Sequence, residues 1–160
     1  MRPVVCMVTD RTRFGGGAAA DDRLVEAVGD AARAGVHLVQ LRERDLEGGA
    51  LLRLAVRCLD AVRGTAARVL VNDRADVAVA AGAHGVHLPG HGLPARRLRP
   101  HLPPRFLIGR SVHDAAEAVR AAADGGLDYL VFGTVFETAS KPGPRIAGVE
   151  DLRTAAASVP

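Results

Sequence analysis

Residues 127–148 read LDYLVFGTVFETASKPGPRIAG, an apolar strand pattern that runs directly into a polar loop containing Gly and Pro. The near-continuous apolar run from Leu127 to Phe132 is typical of a parallel strand that is buried on both faces. The loop that follows carries hydroxyl, carboxylate and amino groups. Because ligands of parallel α/β proteins bind at the carboxyl ends of strands, this loop is the leading candidate for a functional site.

Short apolar runs alternate with helical patterns along the whole chain, which predicts six βα units of a parallel α/β protein. Evenly repeated units whose strands end in polar residues favour a (β/α)8 barrel of the TIM type over an open doubly wound sheet. Only about six units are present, so we expect an incomplete or open barrel, with Ser158 to Pro160 where a seventh strand would begin. Strands are predicted at residues 4–9, 36–41, 68–71, 85–88, 106–109 and 128–132, and helices at 22–34, 46–62, 75–81, 93–102, 114–123 and 149–157.

Length and composition predict one domain over residues 1–160, with a core of Ala, Val and Leu because only 3% of the residues are aromatic. The net charge is +3, but the Arg residues are spread among acids rather than clustered. We therefore expect small anions such as phosphates as partners, and no nucleic acid. No apolar run approaches a membrane span, and Cys6 and Cys58 are expected to be free, buried thiols, so we predict a cytoplasmic protein without a membrane partner.

Two predicted strand ends carry polar side chains that suit ligand binding. In VHLVQLRERD, Gln40, Arg42 and Arg44 occupy alternate positions and would share one face of a strand, where they would suit a phosphate or pyrophosphate. The alternative is a surface strand end whose arginines form intramolecular ion pairs. In LVNDRAD, Asn72 and Asp73 either bind a substrate or metal, or cap the helix that follows.

The next two strand ends carry histidines. His87 in GVHLPGHGL is more typical of a hydrogen-bonded structural residue than of a metal ligand. In IGRSVH, Ser111 and His113 are two residues apart and would share a strand face. We favour helix capping and substrate hydrogen bonding over a nucleophilic role for this pair.

The loop after the sixth strand contains T-x-S-K, formed by Thr138, Ser140 and Lys141. Two hydroxyls, one ammonium and the loop amides form a plausible anion cradle. The glycine spacing of a P-loop is missing.

Four segments, VQLRERD, LVNDRADVAVAAGAHGVHLPG, IGRSVHDAAEA and DYLVFGTVFETASKPGPRIAGVE, resemble the thiamine phosphate synthase/TenI family in order and spacing. The resemblance implies a (β/α)8 barrel that acts on thiazole phosphate in thiamine biosynthesis. By similarity to the synthase, Gln40, Arg42 and Arg44 would face the pyrophosphate of the pyrimidine substrate. Asn72 and Asp73 would bind substrate and Mg2+, with Asp73 as metal ligand.

The resemblance also gives the last loop a counterpart in the synthase, and it shows one position at which this chain differs from the synthase. Thr138, Ser140 and Lys141 match the Thr-x-Thr-Lys loop of the synthase. Gly92 stands where the synthase has its second magnesium carboxylate, which removes a ligand for Mg2+-assisted departure of pyrophosphate.

HLPGHGLP, IGRSVH and FGTVFET are similar to the TenI branch, whose characterised members convert a thiazole phosphate tautomer without a metal cofactor. A histidine of the characterised tautomerase is replaced here by Thr134, whose hydroxyl cannot act as an imidazole base. Glu43, Asp73 and His113 are then the expected catalytic proton carriers, with His87 as a further candidate. Thr134 remains a candidate for substrate binding.

The expected function is therefore that of a TenI-like thiazole tautomerase without a cofactor. The alternative is a Mg2+-dependent thiamine phosphate synthase that joins pyrimidine pyrophosphate to thiazole phosphate. An alternative of another class is a non-catalytic or truncated barrel that binds a phosphorylated metabolite. In an open barrel, a second chain would cover the exposed edges of the first and sixth strands, which would give a homo-oligomer.

Overall fold

The computed structural model describes residues 3–137 and 146–160. Within them, strands and helices alternate as the sequence predicts, with a 3-10 helix after the first strand and another after the fourth α-helix. The elements are β1 Cys6–Val8, α1 Gly17–Arg33, β2 Leu38–Leu41, α2 Gly48–Ala61, β3 Arg68–Asn72, α3 Ala75–Ala81, β4 Gly85–Leu88, α4 Ala95–Leu98, β5 Leu107–Val112, α5 Ala115–Asp124, β6 Tyr129–Phe132 and α6 Gly148–Ser158.

The first of two compact units comprises Met1–Val86 and Pro103–Phe106. Its strands follow chain order, and β2 pairs in parallel with β1 on one side and β3 on the other. Helix α2 packs against both α1 and α3. The core is aliphatic, as the composition predicts, because nearly every large side chain that is fully buried is Leu or Val: Leu24, Val28, Val39, Leu41, Leu54, Val69, Leu70 and Val71.

The second unit comprises His87–Leu102 and Leu107–Pro160. Strand β5 pairs in parallel with β6, and α5 packs against α6 around Val112, Ala118 and Ala155. The prediction that β6 is buried on both faces is wrong, since Val131 is 44% exposed. The physical reason is that β6 is the last strand of its sheet in the described part of the chain and pairs with β5 alone there, while Leu130 and Phe132 pack against the cluster around Val112.

Helix ends follow the local chemistry of the sequence. Asp114 caps α5 by accepting a hydrogen bond from the Glu117 amide, and Gly125 follows the helix with a positive φ of 74°. The predicted helix over 93–102 is shorter, because Pro100 lacks the amide that an α-helix needs and the chain continues as a 3-10 turn. No helix in the described residues is long and apolar enough to cross a membrane.

The two cysteines are free, as predicted, but only Cys58 is buried. Burial in the first unit's core raises the pKa of the Cys58 thiol to about 12. Cys6 is exposed, which corrects the prediction that both thiols are buried. The correction arises because β1 is the first strand of the sheet, and its neighbours Val5 and Val8 are also more than half exposed.

The difference in burial between Cys6 and Cys58 predicts how many thiols react in the folded protein. At pH 8, Ellman's reagent should react with one thiol in the native chain, and with a second only after denaturation, because the thiolate is the reactive form. Cys6→Ser should leave no reactive thiol in the native state. Rapid reaction of two thiols in the native chain would contradict the burial of Cys58.

Candidate functional site

The ends of β1 and β2 meet around a buried carboxylate. Glu43 accepts hydrogen bonds from the Thr9 hydroxyl at one oxygen and from the Arg11 amide, at 2.9 Å, at the other. Thr9 also accepts a 3.0 Å hydrogen bond from the Arg42 amide. Thr9 and Glu43 are both almost completely buried. Both oxygens of Glu43 are therefore engaged within the protein, and they fix the backbone from which Arg42 and Arg44 extend.

A second polar contact joins the ends of β2 and β3. The buried Gln40 donates a 2.8 Å hydrogen bond from Nε2 to Oδ1 of Asn72. This bond uses the Gln40 amino group and the Asn72 carbonyl, which leaves the Gln40 carbonyl and the Asn72 amino group to contact a ligand. The structure thus brings together two of the residues predicted to bind substrate.

The other predicted residues of the first unit lie beyond the strand ends. Arg42 and Arg44 follow β2, which ends at Leu41. Strand alternation therefore does not place their side chains on one face with Gln40. The alternative in which both arginines are ion-paired is wrong, because neither forms a salt bridge within the described residues. The nearby Asp45 pairs with Arg11 instead. Arg42 interacts electrostatically with Asp10. Two guanidinium groups without a salt bridge in the described residues are nonetheless suited to binding an anionic ligand.

Asp73 is exposed directly after β3 and adopts a left-handed backbone with φ of 63°. Asp tolerates this conformation better than most residues do, and strained backbone of this kind is common at functional sites. The alternative helix-cap role is wrong for both Asn72 and Asp73, because Arg74 occupies the cap position of α3 and no side chain caps it.

In the second unit, His87 is almost completely buried between two hydroxyls. Its Nε2 lies 2.8 Å from the Ser111 Oγ, and its Nδ1 lies 3.1 Å from the Tyr129 hydroxyl. Gly109 pairs with Tyr129 across the β5–β6 ladder, and a Cβ at position 109 would overlap the tyrosine ring. The structure therefore brings His87 and Ser111 together, and it adds Tyr129, which the sequence pattern places only in an apolar strand.

His113 lies just after β5, and its Nδ1 is 2.6 Å from the Gly133 carbonyl. A carbonyl only accepts hydrogen bonds, so Nδ1 carries a proton, and in the neutral form of the ring the lone pair lies at Nε2. The His113 amide donates to Glu117, which connects the residue to the start of α5. Among the predicted proton carriers, His113 thus presents a ring nitrogen able to accept a proton.

One further predicted residue is placed by a backbone hydrogen bond, and three others lie outside the described residues. Thr134 follows β6, and its carbonyl accepts a 2.9 Å hydrogen bond from the Ala147 amide. Thr138, Ser140 and Lys141, predicted as an anion cradle, lie outside the described residues.

The sequence profile described as "Thiamine monophosphate synthase" matches residues 5–160. The chain belongs to the thiamine monophosphate synthase family. The predicted family is thereby confirmed.

Related proteins are named thiamine-phosphate synthase. The thiamine-phosphate synthase of Gloeobacter violaceus is 45% identical over 130 residues, which cover 81% of this chain and 38% of that protein. The thiamine-phosphate synthase of Methanoculleus marisnigri is 46% identical over 134 residues, which cover 81% of this chain and 63% of that protein. The chain therefore spans less than two thirds of the length of these relatives. Their names favour the synthase alternative over the tautomerase interpretation.

The fold is similar to a solved structure, "Thiamine phosphate pyrophosphorylase from Pyrococcus furiosus". The TM-score is 0.80 at 30% sequence identity, over 98% of this chain and 71% of that chain. Together with six strands that alternate with helices, this similarity confirms the α/β fold of TIM-barrel type with six βα units.

The close approach of Gly109 to Tyr129 predicts the effect of one added methyl group. Gly109→Ala should lower the free energy of unfolding by about 1–3 kcal/mol, because the tyrosine ring or the strand must shift. Urea denaturation measures the change.

Gly49→Ala is the matched control. Its Cβ would meet only Arg53, at 3.7 Å, on the surface of α2, so it should be neutral or stabilise the chain by up to about 1 kcal/mol. Equal stability of both variants would mean that the Tyr129 ring does not fill the space beside Gly109.

Proposed function

We propose that the chain acts in thiamine phosphate synthesis, joining pyrimidine pyrophosphate to thiazole phosphate with release of pyrophosphate. The observation that carries this proposal is the family match over residues 5–160, supported by relatives that are named thiamine-phosphate synthase. The predicted alternative, rather than the predicted tautomerase, therefore becomes the preferred function.

The side chains of the first unit are assigned to the pyrophosphate group of the pyrimidine substrate. Arg42 and Arg44 provide guanidinium groups without a salt bridge in the described residues, and each has paired donors that suit phosphate oxygens. The Asn72 amino group, left available by the bond to Gln40, adds a neutral donor. We assign Glu43 a positioning role, because its oxygens already accept hydrogen bonds from Thr9 and Arg11.

The side chains of the second unit are assigned to the thiazole substrate. His87 holds Ser111 at 2.8 Å, so the serine hydroxyl is directed by a buried partner. His113, with its proton at Nδ1, keeps Nε2 as an acceptor. Thr138, Ser140 and Lys141 remain predicted phosphate contacts from the family pattern.

Mg2+ is the cofactor that the synthase proposal implies. Within the described residues, no group of three or more His, Cys, Asp or Glu side chains is able to hold a metal ion. Asp73 is exposed and has no salt bridge there, so one carboxylate is available. Mg2+ is often bound through one or two carboxylates together with substrate phosphates, so Asp73 fits as a single protein ligand. The bound ion would neutralise charge on the departing pyrophosphate.

A thiazole tautomerase is the second candidate. The observation that favours it is the Nε2 lone pair of His113, which suits general base catalysis without a metal. Gly92, at the position of the second magnesium carboxylate, is consistent with this candidate.

The two activities are separated by assaying the full chain with each substrate set. Pyrimidine pyrophosphate, thiazole phosphate and Mg2+ should yield thiamine phosphate and pyrophosphate in equal amounts. Conversion of the thiazole tautomer alone, without the first reaction, would replace the synthase by the tautomerase. Turnover in neither assay, with no shift in melting temperature by either substrate, would contradict both candidates.

Arg42→Ala and Arg44→Ala should each raise the KM for pyrimidine pyrophosphate roughly tenfold or more, because each removes charge-assisted hydrogen bonds to phosphate. Steady-state kinetics at fixed thiazole phosphate measures the change. Arg53→Ala removes an exposed arginine from α2 and should leave KM within about twofold. If all three variants behave alike, Arg42 and Arg44 do not bind this substrate.

A further inference from the structure

The loop between β4 and α4, residues 89–94, reads PGHGLP and has few side chains with which to hold itself in place. One turn is closed by a 3.0 Å hydrogen bond from the Gly92 amide to the Pro89 carbonyl. The remaining order comes from outside the loop. Water can satisfy exposed loop carbonyls in many arrangements, whereas donors from a neighbouring element favour one conformation.

Arg110 on β5 supplies those donors. Its Nη1 lies 3.1 Å from the Gly90 carbonyl and 3.3 Å from the Gly92 carbonyl, and its Nη2 donates to the carbonyls of Gly92 and Leu93. One guanidinium thus contacts three carbonyls of a four-residue stretch. Only arginine offers five N–H donors in a plane for this purpose, whereas lysine presents a single ammonium.

The arginine is not held by an acid. It forms no salt bridge within the described residues, although the charge of Asp124 acts on it from a distance. The guanidinium borders a cavity of about 550 Å3 in the second unit, and burial there lowers the pKa of Arg110. A partly desolvated cation whose hydrogen bonds all go to loop carbonyls stabilises that loop directly.

The loop in turn lies against the predicted site residues. A Cβ added to Gly90 would lie 3.3 Å from the Ser111 carbonyl and 3.9 Å from the Nε2 of His113. That nitrogen is the one that the hydrogen bond between Nδ1 and the Gly133 carbonyl does not use. Because successive residues of a strand face opposite sides, β5 directs Ser111 toward His87 and Arg110 toward the loop.

We infer that Arg110 is a positioning residue that holds residues 90–93 beside Nε2 of His113 and thereby sets the binding of the thiazole substrate. The inference rests on the proposed function for the identity of the substrate. The contact between arginine and loop stands independently of it.

The loop is tested first, by hydrogen exchange of the full chain followed by mass spectrometry. Arg110→Met and Arg110→Lys should both speed exchange of the Gly92 amide, which donates to the Pro89 carbonyl, by about tenfold or more, because neither side chain contacts three carbonyls and the turn opens more often. Arg120→Met is the matched control, since Arg120 borders the same cavity and has no salt bridge or hydrogen bond in the described residues. Unchanged exchange in Arg110→Met would overturn the inference.

The effect on substrate is tested by kinetics of the same variants. Both Arg110 variants should raise the KM for thiazole phosphate roughly five- to twentyfold with a smaller change in kcat, because a loosened loop weakens positioning. Faster loop exchange with an unchanged KM would overturn the role in substrate binding. If the parent chain turns over neither substrate set, the proposed function fails, and the exchange result still decides whether Arg110 holds the loop.

A second variant covers the case in which the Arg110 variants do not fold. Gly90→Ala leaves Arg110 intact but places a methyl group 3.3 Å from the Ser111 carbonyl, so the loop or that carbonyl must shift by a few tenths of an ångström. It should raise the same KM and leave the melting temperature close to that of the parent chain. Normal KM in a folded Gly90→Ala variant would count against the proposed role of the loop.

Discussion

A buried carboxylate at the end of β2 fixes the polar ends of the first two strands. Glu43 accepts from the Thr9 hydroxyl and from the Arg11 amide, and Thr9 accepts from the Arg42 amide. A buried carboxyl group without hydrogen-bond partners is costly, so these contacts stabilise one another. Arg42 and Arg44 therefore extend from a fixed backbone, while their own side chains remain without salt bridges in the described residues.

In the second unit, too, some polar groups are buried and hydrogen-bonded, while others stay available to a ligand. His87 is enclosed by Ser111 and Tyr129, and the tyrosine fits only because position 109 is glycine. His113 gives one ring nitrogen to the Gly133 carbonyl and keeps the other. In each unit, buried polar residues hold one another in place. The hydrogen-bonding groups that these contacts do not use are the ones we assign to ligands.

The sequence predicts the elements well where the local pattern decides them. Strand β4 and helix α3 have the predicted bounds, since Pro89 follows the strand and Gly82 follows the helix. Strand β5 continues past its predicted end at Gly109 because Arg110 and Ser111 interrupt the apolar pattern but not the ladder with β6. Glycine within a strand pattern was the available signal for Tyr129, since such a glycine often marks the close approach of another group.

The partners of individual side chains were harder to predict. Gln40 and Asn72 are 32 residues apart, and their contact depends on the register between β2 and β3, which strand alternation does not specify. Glu43 was expected to be a proton carrier, because its sequence position gives no sign that Thr9 and the Arg11 amide would occupy its oxygens. Family motifs identify residue positions, but packing decides which atoms remain available.

The stability and turnover of Glu43→Gln test most directly whether Glu43 positions its neighbours or takes part in catalysis. The amide keeps the size of the side chain and one accepting oxygen, but it loses the charge and the second acceptor. The free energy of unfolding should fall by about 1–3 kcal/mol, while kcat per folded molecule stays within about twofold of the parent chain. A folded Glu43→Gln variant with unchanged stability and a loss of kcat of about a hundredfold or more would contradict the positioning role and restore Glu43 as a catalytic group.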